Sequence, residues 1–527
     1  MKRVLIFILL TGNIFWAFPQ FFNDQTIKLN QVIRWIESDY VDSINMDDIV
    51  EDAIIKMLAE LDPHSAYISK DEVKEMNEPL EGSFEGIGIM FNILNDTILV
   101  VSPISGGPSE KVGIMAGDRI VKINNENVAG INITNTDVQK KLKGPKGTHV
   151  SVSVKRRKVK DLLDFDITRD VIPIYSIDAS YKTDSNIGYI KINRFAYTTM
   201  REFYEAVDKL QDQGVENYII DLSGNGGGLL QIAYMLAGEF LDNNKLIVYT
   251  EGVHNPRQEY KTTKNGSLRN SNVVVLIDEG SASASEILAG ALQDWDKGII
   301  VGRRSFGKGL VQKQYEMNDG SMIRLTIARY YTPTGRLIQK PYDNGIEEYE
   351  KDIVNRYNNG ETFNKDSIHF PDSLKYKTLI KGRTVYGGGG IMPDIFIPMD
   401  TSFYTDYYSS LIRKGILNRF ILTYLDNNRK QIKNTYQSFT DFNAGFIVDK
   451  KIIDDLIEFA RNNDVEFNKE EYEISEEQLK LVLKARIAGD VWTTSEFYEI
   501  INQEDQDFMK AVDVLKNWDT YQHKILK

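Results

Sequence analysis

The sequence predicts a multidomain α+β protein built on an α/β core. Three observations predict it. Apolar runs such as Tyr218-Ile219-Ile220-Asp221-Leu222 and Val273-Val274-Val275-Leu276-Ile277 read as buried strands, each leading through a turn into a helix. Ahead of them, from 79 to 170, short strands and turns dominate. Both ends, 25–78 and 401–527, carry apolar residues at helical spacing.

Taken in order, Lys2 and Arg3 precede the apolar run Val4–Leu10, which Gly12 and Asn13 interrupt. Residues 1–20 therefore read as a signal peptide, with an uncleaved membrane anchor as the second reading. The run falls short of the about 20 apolar residues a span needs. Ile27, Val32, Ile33 and Ile36, then Ile49, Ala53, Ile54, Met57, Leu58 and Leu61, recur at helical spacing, and Asp62-Pro63-His64-Ser65 stops the second helix. Within 79–170, Thr97–Val101 and the Val150, Val152, Val154 alternation read as strands. Residues 171–400 alternate strands and helices, with Asn318-Asp319-Gly320 as a hairpin turn and 340–385 as a polar insertion. Residues 401–527 read as a separate helical domain.

A net charge of −13 repels phosphate backbones and argues against nucleic-acid binding. The dense basic run Lys155-Arg156-Arg157-Lys158 reads as a solvated hairpin end. The absence of cysteine excludes disulfides and thiol catalysis. The five histidines form no metal-ligand motif, so no metal or other cofactor is expected.

Two segments carry chemistry. Gly280-Ser281-Ala282-Ser283-Ala284-Ser285-Glu286 lies where a buried strand turns into a helix. A serine there sits by free helix amides that can stabilise an oxyanion, although serine is also an ordinary helix cap. Downstream, Lys308 stands between Gly307 and Gly309. A lysine serves as a base only when burial depresses its pKa from about 10.4.

Together, Ser-Ala-Ser-Ala-Ser-Glu, Phe-Gly-Lys-Gly and Gln312 resemble the carboxy-terminal processing peptidases, or tail-specific proteases. The likeness extends to Tyr40-Val41-Asp42, Leu61–Ser65, Thr332–Arg336 and Gly390–Asp394. It implies a crotonase/ClpP-like peptidase core, with Ser283 as nucleophile, Lys308 as base and Gln312 orienting the lysine. Asp221-Leu222 with Gly224-Asn225 and Gly227-Gly228 resembles the family's oxyanion loop, Ser223 replacing the usual Arg and Gly226 the usual Pro. The implied oxyanion donors are the amides of Ala284 and of Gly227 or Gly228.

Gly86-Ile87-Gly88-Ile89 resembles the carboxylate-binding loop of PDZ domains, as Gly117-Asp118-Arg119-Ile120 resembles a later PDZ segment. The implied module is inserted ahead of the core. It takes a substrate's C-terminus as an added strand, with Ile87, Ile89 and Phe91 lining the pocket for its last side chain. The expected function is endoproteolysis of proteins selected by their tails, outside the cytoplasm; in a Gram-negative cell that is the periplasm. Protein or peptide substrates with free C-termini are the expected partners. An adaptor or activator and a homo-oligomer stay open. The competing readings are a non-catalytic PDZ-type adaptor, a hydrolase of small esters or amides, and a Ser-His-Asp site using His64 or His254.

Overall fold

The computed structural model describes residues 24–184 and 186–525. The signal-peptide reading of residues 1–20 lies outside the described residues. Among these, no helix is long and apolar enough to cross a membrane. The chain divides at Leu61 into two compact units. In the first, helices Asp24–Asp39 and Met46–Ala59 follow one another, the second started by Asn45, whose side chain accepts the Asp47 amide. The expected 25–78 helical region is thus split, because Asp62-Pro63-His64-Ser65 belongs to the second unit. There a further helix, Lys70–Glu81, begins.

The second unit is centred on a six-stranded sheet in the order Ile177–Asp184, Ile187–Ile192, Asn217–Asp221, Val273–Ile277, Gly298–Gly302, Ile395–Phe396. The first pairing is antiparallel and the rest are parallel. Its apolar runs are buried on both faces, as parallel strands between helical layers must be. Ile220, Val273, Val275 and Ile277 pack under helices Thr199–Gln211, Leu230–Gly238 and Ala284–Asp294. Ile219, Val274 and Leu276 face the other way, onto Ala511, Val514 and Leu515.

That second face corrects the expected separate helical domain. Helices Asp406–Arg413 to Thr494–Ile501 surround an apolar core of their own, in which Ile500 is buried, whereas Gln506–Lys516 lies on the central sheet, joined there by Tyr498. The 340–385 segment is likewise more than a polar excursion. It holds helix Ile346–Asn358, whose Arg356 is buried and donates to the carbonyls of Ser305 (2.7 Å) and Phe306 (3.1 Å).

A second sheet places Met322–Tyr331 between Ala66–Ile68, Leu310–Glu316 and Leu246–Gly252. The β-rich module has strands in the order Ile89–Ile93, Ile98–Pro103, Arg119–Ile123, His149–Lys155, Leu163–Thr168, with helix Asn135–Leu142. The chain enters it through Ser83–Gly86 and leaves through Asp170–Pro173, and these two segments pair with each other.

Candidate active site

The three neighbouring serines have different tasks. Ser281 Oγ donates to Leu222 O (2.8 Å) and Ser285 Oγ to Asn225 O (2.9 Å), and both residues are fully buried. Ser283 is half-buried and lines a cleft of about 780 Å³. It stands immediately before helix Ala284–Asp294 with φ of 56° and ψ of −110°, in the region a non-glycine residue avoids. Such a conformation persists only where its surroundings over-determine it.

Two buried side chains do so, and both also hold the lysine loop. Glu286 is wholly enclosed. It accepts the amides of Ser283 (2.8 Å) and Lys308 (2.9 Å) on one oxygen, and Gly307 N (2.7 Å) and Ser305 Oγ (2.6 Å) on the other. Burial raises its pKa, and these hydrogen bonds oppose the rise. The buried Tyr330 hydroxyl reaches both the Lys308 carbonyl (2.7 Å) and the Ser283 carbonyl (3.0 Å). One carboxylate thus clamps the two amides, and one phenol the two carbonyls, of the residues that flank the cleft.

Lys308 and Gln312 line the same cleft. Burial is the largest cause that lowers the Lys308 pKa to about 8; Arg324 adds to it, and Glu286 and Asp62 oppose it. A substantial neutral fraction near pH 8 gives this amine the capacity to accept a proton. Gln312 Nε2 donates to Thr326 Oγ1 (3.3 Å), which donates to Asp62 Oδ1 (3.0 Å). Asp62 also accepts the amides of His64 (2.8 Å) and Ser65 (2.9 Å), so the Asp-Pro-His-Ser turn braces the strand beside the cleft.

The glycine loop approaches Ser283 closely. A Cβ on Gly227 would lie 2.8 Å from both Ser283 Cβ and Ala282 O. One on Gly228, at φ of 141°, would lie 2.2 Å from Phe195 O. The Gly227 amide is already committed to Asn225 Oδ1 (2.8 Å). Among the described residues no hydrogen bond engages the Gly228 amide, and Ala284, first in its helix, has no intrahelical acceptor. In place of the family's Arg and Pro, buried Asn225 stiffens the loop through Ile192 O (2.8 Å), and Lys191 holds Ser223 O (2.6 Å) while paired to Asp221 (3.0 Å).

Neither His64 nor His254 lines the cleft. The His64 ring bonds the Tyr349 hydroxyl (2.8 Å), and burial followed by nearby Lys308 lowers its pKa to about 4. His254 is exposed between strands Leu246–Gly252 and Asn255–Lys261. Sequence reasoning missed Tyr330 and Thr326, and gave no role of their own to Glu286 and Asn225, which it met only as parts of motifs. A glutamate three residues into a helix reads as a cap, and a tyrosine in an apolar strand reads as core.

The module's groove, about 450 Å³, lies between Gly86-Ile87-Gly88-Ile89, Phe91 and helix Asn135–Leu142. Ile87 is 2% exposed and belongs mainly to the module's core. Among the described residues Ile89–Ile93 is an edge strand. Lys143, at the groove, pairs with Glu78 of helix Lys70–Glu81 (2.6 Å).

Comparison with known proteins agrees with these features. Residues 186–351 match the model of peptidase family S41, residues 99–156 a PDZ domain, and residues 407–493 a family of unknown function, DUF8443. The chain is 36% identical over 320 residues to the carboxy-terminal-processing protease of Bartonella bacilliformis, covering 60% of this chain and 73% of that one. It is 38% identical over 314 residues to the carboxy-terminal processing protease CtpA of Bacillus subtilis, covering 59% and 66%. It spans 62% of a probable CtpA-like serine protease of Staphylococcus epidermidis, at 36% identity. So it matches slightly under two thirds of the length of several curated relatives. The solved photosystem II D1 C-terminal processing protease is 29% identical, covering 60% of this chain and 84% of that one, with a TM-score of 0.35. On its sequence likeness to these relatives, the chain belongs to the carboxy-terminal processing proteases of peptidase family S41.

Proposed function

We propose that the chain is a serine endopeptidase that captures proteins by their C-terminal tails and cuts them with a Ser283/Lys308 dyad. The observation that carries this is the cleft itself. It brings a conformationally strained serine at a helix N-terminus together with a lysine whose pKa is lowered to about 8. In the first step neutral Lys308 Nζ accepts the Ser283 Oγ proton as Oγ attacks the peptide carbonyl carbon. The Gly228 and Ala284 amides hold the resulting oxyanion; Gly227, spent on Asn225, does not. The lysine ammonium then gives its proton to the departing amine. Water, deprotonated by the same lysine, attacks the acyl carbon, and the lysine returns that proton to Ser283 Oγ as the carboxylate product departs. Gln312, tied to Thr326 and lining the same cleft, has the role of limiting the lysine's positions. The tail adds to edge strand Ile89–Ile93, its carboxylate at Gly86–Gly88 and its last side chain near Ile89 and Phe91. The positively flanked apolar run at residues 4–10 supports export from the cytoplasm.

The test is cleavage of an unfolded protein with an apolar C-terminus. A short peptide with the same free terminus should compete and its amidated form should not. Peptide binding without any cleavage would favour the adaptor reading instead.

The pH profile has a definite sign. Only neutral lysine is a base, so kcat/KM should rise about tenfold per pH unit below about 8 and level off above it. Arg324→Gln removes a cation that lowers that pKa, so its inflection should move upward. His64, with a pKa of about 4, stays neutral throughout. Tyr330→Phe releases the carbonyls of Ser283 and Lys308. It should cost about 1 kcal/mol in urea unfolding and lower kcat by about tenfold to a hundredfold, with KM little changed.

A further inference from the structure

Strand Ile98–Pro103 is buried on both sides, which a small module does not achieve alone. Ile98 and Val100 face the module's own core. Leu99 and Val101, pointing the opposite way, are 2% and 8% exposed because Leu422 covers them together with Leu94. Leu422 lies on helix Ile416–Thr435, whose Phe420, Ile421 and Leu425 build the helical bundle's core. Leu422 is outside that core and is buried instead against the module.

Polar contacts fix the same seam. Asp426, one turn beyond Leu422, pairs with Arg119 (3.0 Å), and its carbonyl accepts from Arg157 (2.8 Å). A Cβ on Gly117 would come within 3.1 Å of the Asp426 carboxylate, so the surfaces meet closely there. The bundle is in turn joined to the peptidase sheet. Helix Lys469–Val491 runs on to Thr494–Ile501, where Ser495 Oγ accepts the Ser180 amide (3.1 Å) and Asn502 Nδ2 donates to the Tyr181 hydroxyl (2.8 Å). At the module's other side, helix Lys70–Glu81 is a shared wall. Glu75, Glu78 and Pro79 line the tail groove, and Asn77, Pro79 and Leu80 line the cleft that holds Ser283.

We propose that the bundle matched to DUF8443 is a brace. It anchors the PDZ module from behind and keeps the tail groove at one set distance from Ser283. Groove and cleft then act as one composite site that cuts at a constant offset from the captured C-terminus. The cutting half of this proposal rests on the peptidase reading; the bracing half does not.

The test uses the full chain, which has no cysteine, so two introduced thiols are its only ones. Spin labels on Lys140→Cys in the module and Asp208→Cys in the peptidase core, both exposed positions, should give one narrow distance distribution. Adding Leu422→Glu with Asp426→Lys should broaden it at unchanged helicity. Should that variant misfold, Arg119→Glu breaks the same ion pair from the module's side and should also broaden the distribution. Adding Asp426→Lys to Arg119→Glu should narrow it again. A distribution as narrow in the Arg119→Glu variant as in the parent would overturn the brace. For the cutting half, substrates with one body and tails of graded length should be cut at positions that move with the C-terminus. Sites that stay with the local sequence whatever the tail length would overturn the offset. A parent enzyme that cuts nothing would count against the peptidase reading, and the distances would still decide the brace.

Discussion

Lys308→Ala is expected to lower kcat/KM by about 10⁴-fold or more, to the level of Ser283→Ala, and the double variant should lose nothing further. The non-additivity is the informative part. A nucleophile and its base act in one proton transfer, so removing either removes the step. Neither substitution should disturb the fold. The Ser283 and Lys308 backbones are held by Glu286 and Tyr330, and neither support uses the Ser283 or Lys308 side chain. Removing a partly desolvated ammonium beside Arg324 should leave Lys308→Ala at least as resistant to urea as the parent. Full activity in Lys308→Ala would move the base elsewhere. His64 is the poorer candidate, because its ring is engaged by Tyr349.

Glu286→Ala should be the most damaging change for folding. It strips the acceptor from three amides and one hydroxyl, in a site without solvent access. Each buried donor left unmade costs about 1–3 kcal/mol, so urea unfolding should show a loss of roughly 4 kcal/mol or more. Activity should fall further than stability alone explains, since the serine turn and the lysine loop are no longer tied together. Glu286→Gln is the instructive comparison. It keeps the volume and one oxygen, but its NH₂ must face donors that need an acceptor. It should fall between parent and Glu286→Ala in stability while retaining little activity.

What could be read from the sequence follows from which residues act locally. The strands around Ile220 and Val275 were legible because apolar runs of that length leave few alternatives. The strand–turn–helix around Ser283 was legible because its small residues permit the turn. The Ser283–Lys308 clamp was not. Glu286 and Tyr330 act on backbone atoms distant in sequence, and such pairing leaves no periodic trace. The polar insertion hid Arg356 for the opposite reason: a buried arginine serving carbonyls looks like surface when read residue by residue. The apolar side of Gln506–Lys516 read as part of a separate bundle because periodicity shows that a face is covered and not by what. Leu99 and Val101 did leave a signal, since an uninterrupted apolar strand in a small β module implies a cover on its outer face.

The most direct measurement is peptide mapping of the protein after exposure to a serine-reactive phosphonate, with the rate of adduct formation followed from pH 6 to pH 9. The dyad predicts one modified residue, Ser283, at a rate that climbs with pH and levels off beyond about 8. It also predicts almost no adduct in Lys308→Ala. An adduct on another serine, or on Ser283 at a rate that neither pH nor Lys308→Ala changes, would contradict it.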